Sequence, residues 1–296
     1  FEEDYLRMMR AVRFPCTLGF SLEEATRRAI HNLAPHIRDI SIERVQQEFT
    51  RILLEAPRAG QGLEMLHDLG LLQVFLPEVA ALHGVEQPPC FHPEGDVFRH
   101  TVIMLDEMES PDINLAYAVL LHDVGKPGTA AIGPDKATGG ERIRFDGHAE
   151  AGAEMAETIM QRLKLPRRHI DAVCHCVQNH MRFMHVQSMR KAKLRHLVGH
   201  PLFRTELELH RLDCHSSHGH LDNYTFLREY LQQLEKEEDV ALPARWVNGH
   251  DIMTMGISEG ADVGRWLKTA YDAQLEQRFT DKAALMQWLR EEIQSK

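Results

Sequence analysis

Five separate segments of the chain carry histidine and aspartate side chains that could bind metal ions. In chain order they contribute His100, His122, Asp123, His148, His180 and Asp213. Imidazole and carboxylate groups suit Mg, Mn, Fe, Co, Ni or Zn, depending on their mix and geometry. A divalent ion held by such groups lowers the pKa of a bound water, which can then attack an ester near neutral pH. This set of residues therefore predicts metal-dependent hydrolysis of phosphoesters.

The most specific of these segments is Leu-Leu-His-Asp-Val-Gly-Lys-Pro, at residues 120–127. His122 and Asp123 follow an apolar run at 115–121 that predicts a buried helix, which would hold the pair rigidly. Lys126 lies three residues further on, where it could contact a phosphate oxygen. We therefore predict catalytic roles for Asp123 and Lys126.

Two other His-Asp pairs show that a pair alone is a weak signal. His67-Asp68 is followed by no basic residue. His250-Asp251 follows a glycine, and Asp251 is interpreted as an acidic group at a helix N-terminus. Neither pair is predicted to bind metal.

The six candidate ligands can be divided between two ions. His100, His122, Asp123 and Asp213 would hold the first ion, and His148 and His180 would hold a second ion bridged by Asp123. His175 and His185 compete with His180 for its assignment, and His148 could instead cap a helix. His210 and His215 are interpreted as bystanders or as donors to the ligands. A structural metal remains the alternative, although such sites favour cysteine-rich sets.

The elements that must position these residues are almost all helical. Apolar residues recur at spacings of three and four through most of the chain, which predicts an all-α fold. The best candidate strand, at 142–145, lies within a predicted loop at 126–147. We predict neck helices at 1–88, a metal-binding helical bundle at 89–238 and a C-terminal helical unit at 239–296.

Composition indicates a globular protein without a membrane span. The chain has 296 residues, is 43% apolar and carries a formal net charge of −10. It lacks an apolar run of membrane-spanning length and a signal peptide, and its five cysteines are interpreted as reduced thiols. We expect a cytoplasmic protein, and the acidic opening without an initiator Met suggests a piece of a longer one.

One basic segment departs from the acidic average. Residues 182–196 contain no acid and carry five basic side chains, namely Arg182, Arg190, Lys191, Lys193 and Arg195. Such a cluster can contact phosphate groups.

The motifs around the metal-binding residues resemble a known family. The order H…HD…D, with the HDVGKP segment, resembles the HD-domain metal-dependent phosphohydrolases. Residues 1–14 resemble the end of the nucleotide-binding region of bacterial class II tRNA nucleotidyltransferases and poly(A) polymerases. The phrase at 84–100 resembles members of that family with an HD domain, and residues 272–276 resemble its tRNA-contacting region.

The resemblance implies nucleotide-binding residues and a tRNA partner. The family's E-D-x-x-R motif, which reads the base of CTP or ATP, falls on Glu3, Asp4 and Arg7, and its R-x-x-x-E motif falls on Arg44 and Glu48. It also implies hydrolysis of 2′,3′-cyclic phosphates or phosphomonoesters by the HD domain. The basic segment at 182–196, with Arg182, Arg190, Lys191, Lys193 and Arg195, would then contact the phosphates of the tRNA backbone.

Departures from the family pattern limit what the resemblance implies. No D-x-D pair occurs in the chain, so we expect that the nucleotide-adding head is missing and that these residues alone do not polymerise. Residues 258–261 replace the family's Pro-Gly-Pro, and Gln277 replaces its glycine. Two alternatives stay open: a stand-alone HD nucleotide phosphohydrolase, and a tRNA-binding module with a structural metal site.

Overall fold

The computed structural model describes residues 1–89, 91–135 and 139–295, and its architecture confirms the all-α prediction. The N-terminal helices are α1 (Leu6–Leu18), α2 (Glu24–Leu33), α3 (Ile42–Glu55), α4 (Ala59–Asp68), α5 (Leu72–Phe75) and α6 (Pro77–Ala80), with a 3-10 helix at Ala34–Asp39 between α2 and α3.

The elements that carry the candidate ligands follow. They are α7 (Val97–Asp106), α8 (Ile113–Leu121), α9 (Lys126–Thr129), β1 (Ala131–Pro134), β2 (Glu141–Arg144), α10 (His148–Arg162), α11 (Arg167–Asn179), a 3-10 helix at His180–Ser188, α12 (Lys191–Val198) and α13 (Phe203–Ser216). The chain continues with α14 (Asp222–Lys236), α15 (Gly249–Met253), α16 (Ala261–Leu275) and α17 (Lys282–Gln294).

The two strands form a small antiparallel hairpin. Ala131 pairs with Arg144 and Pro134 with Glu141. The sequence predicted a strand at 142–145, and the structure places it one residue earlier, at Glu141–Arg144, with a partner strand that was not predicted.

The chain divides into two compact units, and the division does not follow the chain order. The first unit contains residues 1–183 and 204–221, and the second contains residues 184–203 and 222–296. The predicted three-part division at 88 and 238 stays a prediction. All six candidate metal ligands lie in the first unit.

Helix α8 is the central element of the first unit. Its residues from Leu115 to Leu121 are all buried, as expected for a helix that is apolar on every side. Asp112 caps its N-terminus by accepting a hydrogen bond from the backbone N–H of Leu115. Helices α3, α7 and α11 pack against α8. His122 and Asp123 directly follow α8, and both are therefore buried in the interior.

The second unit has its own apolar core. Val247, Ile252, Ala270, Leu285 and Leu289 are buried together there. Within the described part of the chain, no helix combines the length and apolar content needed to cross a membrane.

Candidate metal centre

The fold brings the six predicted ligands together from five elements. His100 lies on α7, His148 is the first residue of α10, and Asp213 lies on α13. His122 and Asp123 follow α8, and His180 follows α11. The six predicted ligands therefore form one cluster of side chains, and their role in binding metal stays a prediction.

Asp123 joins the two predicted halves of this cluster. Its Oδ2 lies 3.0 Å from Nε2 of His122, and its Oδ1 lies 3.6 Å from Nε2 of His148 and 4.0 Å from Nε2 of His180. The Nε2 atoms of His148 and His180 are 3.1 Å apart. This spacing lets one carboxylate serve two neighbouring ions.

His100 and Asp213 complete the other side of the cluster. Nε2 of His100 lies 3.2 Å from Oδ1 of Asp213, and the ring centroids of His100 and His122 are 5.4 Å apart. Asp213 therefore meets the site beside His100, as the predicted first ion requires.

Three of the imidazoles share one hydrogen-bonding pattern. The Nδ1 atoms of His122, His148 and His180 lie 2.9, 2.7 and 2.7 Å from the main-chain oxygens of Val119, Phe145 and Val177, each three residues earlier. A carbonyl oxygen only accepts, so each Nδ1 carries the proton. The Nε2 lone pairs are then left for a metal ion.

Three of the buried polar atoms in this interior are ones that a metal ion could bind. Nε2 of His122, Nε2 of His100 and Oδ2 of Asp123 are buried without a hydrogen bond of good geometry. Leaving such atoms without partners is costly. Ligand atoms of His100, His122 and Asp123 lie within 4.8 Å of one another, as do those of Asp123, His148 and His180. The residues present therefore fit one or two divalent ions.

The electrostatics keep both aspartates of the cluster ionised and His180 neutral. Burial opposes the ionisation of Asp123, but His122 and Lys126 outweigh it and hold the pKa of Asp123 well below its usual range. Burial likewise opposes ionisation of Asp213, and the hydrogen bond with His100 overcomes it and lowers its pKa. Burial, as the largest cause, lowers the pKa of His180 to about 4, so its imidazole is neutral.

Lys126 lies against the metal site. Its side chain is buried, with Nζ 2.7 Å from Oδ2 of Asp123 and 2.6 Å from Oε1 of Gln87. The ammonium also lies 5.3 Å from the ring centroid of Phe145. The predicted contact with a phosphate oxygen remains a proposal, and the partners of Lys126 in this structure are Asp123 and Gln87.

Two residues beside His100, Glu94 and His92, were not among the predicted site residues. Oε1 of Glu94 lies 2.7 Å from Nδ1 of His100 and 2.9 Å from Nδ1 of His92. Burial opposes the ionisation of Glu94, but these hydrogen bonds lower its pKa to about 2. Burial acts against the charge on His100, and hydrogen bonds with Asp213 and Glu94 raise its pKa to about 9. The segment His-Pro-Glu-Gly-Asp at 92–96, which places an acid and an imidazole just before His100, is the sequence signal for this contact.

The competing histidines lie in other contacts. Nε2 of His175 is 3.2 Å from Glu206, Nδ1 of His215 is 2.8 Å from Glu107, and the ring of His210 packs on Phe183. His185 is exposed. Among these candidates, His180 is the one that the structure places beside Asp123.

The two His-Asp pairs that served as comparisons have structural partners. His67 stacks on His83 with ring centroids 4.7 Å apart. Asp251 forms a capping box with Asn248 at the start of α15, in agreement with its predicted place at a helix N-terminus.

The predicted nucleotide-binding residues lie on α1, α3 and the segment before α1. Arg7 donates to Glu3 at 2.9 Å, and Arg44 donates to Asp4 at 3.2 Å. The second pair links the two motifs. Glu48 instead accepts hydrogen bonds from Arg10 at 3.0 Å and Arg13 at 2.7 Å, and its side chain is buried. Glu48 therefore joins α1 to α3, and its nucleotide-binding role remains a proposal.

The side chains of the basic segment differ in exposure. Arg190, Lys191 and Lys193 are exposed, with Arg190 3.5 Å from Glu276 and Lys191 donating to Gln277 at 2.6 Å. Arg182 donates to the buried carboxylate of Glu206. Arg195 is 2% exposed and binds Asp239 through two hydrogen bonds of 2.8 Å. The structure does not support the predicted RNA contact by Arg195, because its guanidinium is buried and already paired.

Comparison with known families agrees with the fold and the metal site. An HD-domain model matches residues 96–198, which include five of the six candidate ligands. A model described as the probable RNA- and SrmB-binding site of polymerase A matches residues 19–82. The fold and site thus define an HD-domain protein with an adjoining helical region of the polymerase A type.

Relatives identify the family more closely. The chain is 35% identical to the CC-adding tRNA nucleotidyltransferase of Thermus thermophilus, over 97% of this chain and 67% of that protein. It is 33% identical to the A-adding tRNA nucleotidyltransferase of Deinococcus radiodurans, over 92% of this chain and 64% of that protein. The chain belongs to the tRNA nucleotidyltransferase family, and it spans about two thirds of the length of these relatives.

Solved structures share the fold at low identity. A CCA-adding enzyme in complex with ATP matches with a TM-score of 0.54 and 15% identity, over 99% of this chain and 61% of that one. The Thermotoga maritima CCA-adding enzyme complexed with tRNA matches with a TM-score of 0.51 and 16% identity, over 99% and 62% of the respective chains.

Proposed function

We propose that the HD site hydrolyses phosphoesters, either 2′,3′-cyclic phosphates or phosphomonoesters, with one or two divalent ions. The observation that carries this proposal is the common orientation of the ligand groups. Three imidazoles fix their protons on Nδ1 through backbone oxygens, and their Nε2 atoms converge on the carboxylate of Asp123 at 3.0 to 4.0 Å.

The protein residues would divide the work as follows. His100, His122, Asp123 and Asp213 would hold one ion, and Asp123, His148 and His180 a second. Such ions supply a hydroxide at neutral pH and offset the charge of the phosphate. Asp123 stays anionic because His122 and Lys126 lie beside it. The ammonium of Lys126 adds a positive charge where negative charge develops on the phosphate.

We also propose that the chain takes part in maturation of the tRNA 3′ end, in the cytoplasm. The names of the relatives support a tRNA partner, and the free thiols of the described cysteines suit a reducing compartment. Glu3, Asp4, Arg7, Arg44 and Glu48 would help to bind CTP or ATP. The chain contains no D-x-D pair, so nucleotide addition would depend on residues outside these 296.

A phosphoester panel with a matched pair of variants tests the hydrolase proposal. Phosphate release is measured from 2′,3′-cyclic nucleotides and phosphomonoesters with Ni, Mn, Co or Mg. Asp123→Ala should lower turnover by more than about 10³-fold, because it removes the shared ligand. Asp68→Ala is the control, since it alters the exposed His-Asp pair and should leave turnover unchanged.

Absence of any hydrolysis that depends on Asp123 would contradict the proposal. Salt-dependent tRNA binding without turnover, unaffected by changes in the ligands, would instead identify a tRNA-binding module with a structural metal site. A D-x-D head in the same reading frame would exclude a stand-alone HD phosphohydrolase.

A further inference from the structure

His100 differs from the other three candidate imidazole ligands in the partner of its Nδ1. The others donate to the main-chain oxygen three residues earlier. For His100 the matching oxygen belongs to Val97, and it accepts a hydrogen bond of 2.9 Å from the Thr101 hydroxyl. Nδ1 of His100 is instead directed to Oε1 of Glu94, at 2.7 Å.

The carboxylate of Glu94 is itself held in place. Oε1 lies 2.9 Å from Nδ1 of His92, and the side chain of Glu94 is 7% exposed. The rings of His92 and His100 are 5.0 Å apart at an angle of 81°. Glu94 therefore sits between two imidazoles in a largely buried position.

A carboxylate partner changes what an imidazole does as a metal ligand. It fixes the proton on Nδ1 and the orientation of the ring, and it makes the opposite nitrogen more basic than a carbonyl partner would. Nε2 of His100 is the atom that faces Asp213 and the cluster. The effect of Glu94 would therefore fall on the half of the site that contains His100.

We propose that Glu94, restrained by His92, is a positioning residue that sets the affinity of the ion held by His100, His122, Asp123 and Asp213. The ion held by Asp123, His148 and His180 does not depend on it. The inference rests on the proposed function to the extent that the site holds an ion.

Metal titration of the whole chain tests this proposal without an activity assay. The metal-free protein is titrated calorimetrically with Mn²⁺ or Ni²⁺ alone. Glu94→Gln should lower the affinity for one ion by about 10- to 100-fold and change the affinity for any second ion by less than about twofold. His148→Ala shows which site is affected, because it removes the ion held by Asp123, His148 and His180. When Glu94→Gln is added to His148→Ala, the remaining ion should be the one that binds more weakly.

Matched variants separate positioning from folding. Glu86→Gln makes the same charge change at an exposed place in the same loop and should leave both affinities unchanged. His92→Phe removes the restraint on Glu94 and should give a smaller loss than Glu94→Gln. The metal-free melting temperature of each variant reports on the fold, and Glu94→Asp, which restores the charge, should recover part of the affinity.

Several results would overturn the proposal. Unchanged affinities in Glu94→Gln would do so, and so would equal losses at both ions together with a lower metal-free melting temperature. His92, Glu94 and His100 also have ligand atoms within 4.8 Å, so a further bound ion that Glu94→Gln removes would make Glu94 a ligand. If the wild-type protein binds ions but does not hydrolyse phosphoesters, only the proposed function is contradicted. If the wild-type protein binds no ion, the proposed function and the role of Glu94 are both contradicted.

Discussion

Asp123 and Lys126 form the charged centre of the metal site. Oδ2 of Asp123 and Nζ of Lys126 are 2.7 Å apart, and both side chains are buried. A buried charge without a partner is costly, and the pairing of Asp123 with Lys126 offsets this cost. Removing the lysine therefore separates its role toward the phosphate from the role of Asp123 toward a metal ion.

We predict that Lys126→Met lowers the kcat of phosphoester hydrolysis by about 10²–10³-fold, because it removes a positive charge beside the reacting phosphate. Affinity for the metal ion should stay the same or rise, since a neighbouring cation is lost. Turnover kinetics and metal titration measure the two effects.

Lys236→Met is the control for this change. Lys236 is the last residue of α14 and is exposed, so its replacement should leave kcat and metal affinity unchanged. Loss of metal binding in Lys126→Met would mean that the lysine supports the fold of the site rather than the reaction.

Close packing between backbones holds the turn between α8 and α9 against α10. A Cβ added at Gly125 would lie 2.2 Å from the main-chain oxygen of His148 and 2.7 Å from the backbone nitrogen of Gly152. These are backbone atoms, so relief requires a shift of α10 itself. His148 opens that helix, and a shift would move it away from Asp123.

We predict that Gly125→Ala lowers the free energy of unfolding by about 1–3 kcal/mol through overpacking. It should also lower the affinity for the ion held by His148 and His180 more than the affinity for the ion held by His100. Denaturant unfolding and metal titration measure these effects.

Gly128→Ala is the matched control, because a Cβ at Gly128 has no atom within 4 Å. It should leave both stability and metal affinity close to wild type. An equally stable Gly125→Ala protein would show that α10 is not held by this contact.

A buried ion pair joins α1 to α3. Glu48 accepts from Arg13 and Arg10, and these bonds outweigh the burial that opposes ionisation, so the pKa of Glu48 lies below its usual value. A carboxyl group with a lowered pKa stabilises the fold above its unfolded pKa, and the contribution is lost as pH falls through the folded value.

We predict that Glu48→Gln lowers the free energy of unfolding by about 1–3 kcal/mol at pH 7. The difference from wild type should shrink as the pH falls below about 4. Urea unfolding at a series of pH values measures it.

Glu55→Gln on the same helix is the control, since its pair with Arg51 is partly exposed and should contribute less than about 1 kcal/mol. A pH-independent loss in Glu48→Gln would show that packing, rather than the carboxylate charge, stabilises this contact.

At the scale of the whole molecule, the two units carry different parts of the proposed function. The first unit contains the metal site and the proposed nucleotide-binding residues. The second unit contains the exposed basic side chains of Arg190, Lys191 and Lys193. The metal site and the proposed RNA contacts can therefore be altered independently.

We predict that replacing Arg190, Lys191 and Lys193 together by alanine weakens tRNA binding and reduces the slope of log K against log salt by about two to three. The HD site should keep its metal affinity and turnover of small phosphoesters. Filter binding at several salt concentrations measures the effect.

A triple variant with the same change of charge is the control. Arg228, Lys236 and Lys268 are exposed, and their replacement by alanine should alter binding less. Equal losses in the two variants would show that net charge, rather than this basic segment, determines the affinity for tRNA.

The sequence by itself determined the helical class and the candidate metal ligands. Apolar spacing defines helices locally, and adjacent residues such as His122 and Asp123 keep their relation in any helix end. His, Asp and Lys in so specific a segment carry a chemical signal that survives without knowledge of the packing. The resemblance to tRNA nucleotidyltransferases was also present in short motifs, and the relatives confirm it.

Only the tertiary structure decided which polar groups pair with one another. In the folded chain, Glu94 lies within hydrogen-bonding distance of His100 and His92, and Glu48 accepts hydrogen bonds from Arg10 and Arg13. Arg195 is buried and donates to Asp239. Residues 204–221 pack in the first unit although residues 184–203 before them belong to the second, and Asp213 therefore lies beside His100. Such contacts join segments far apart in the chain, and they depend on how the helices pack, which local periodicity does not specify.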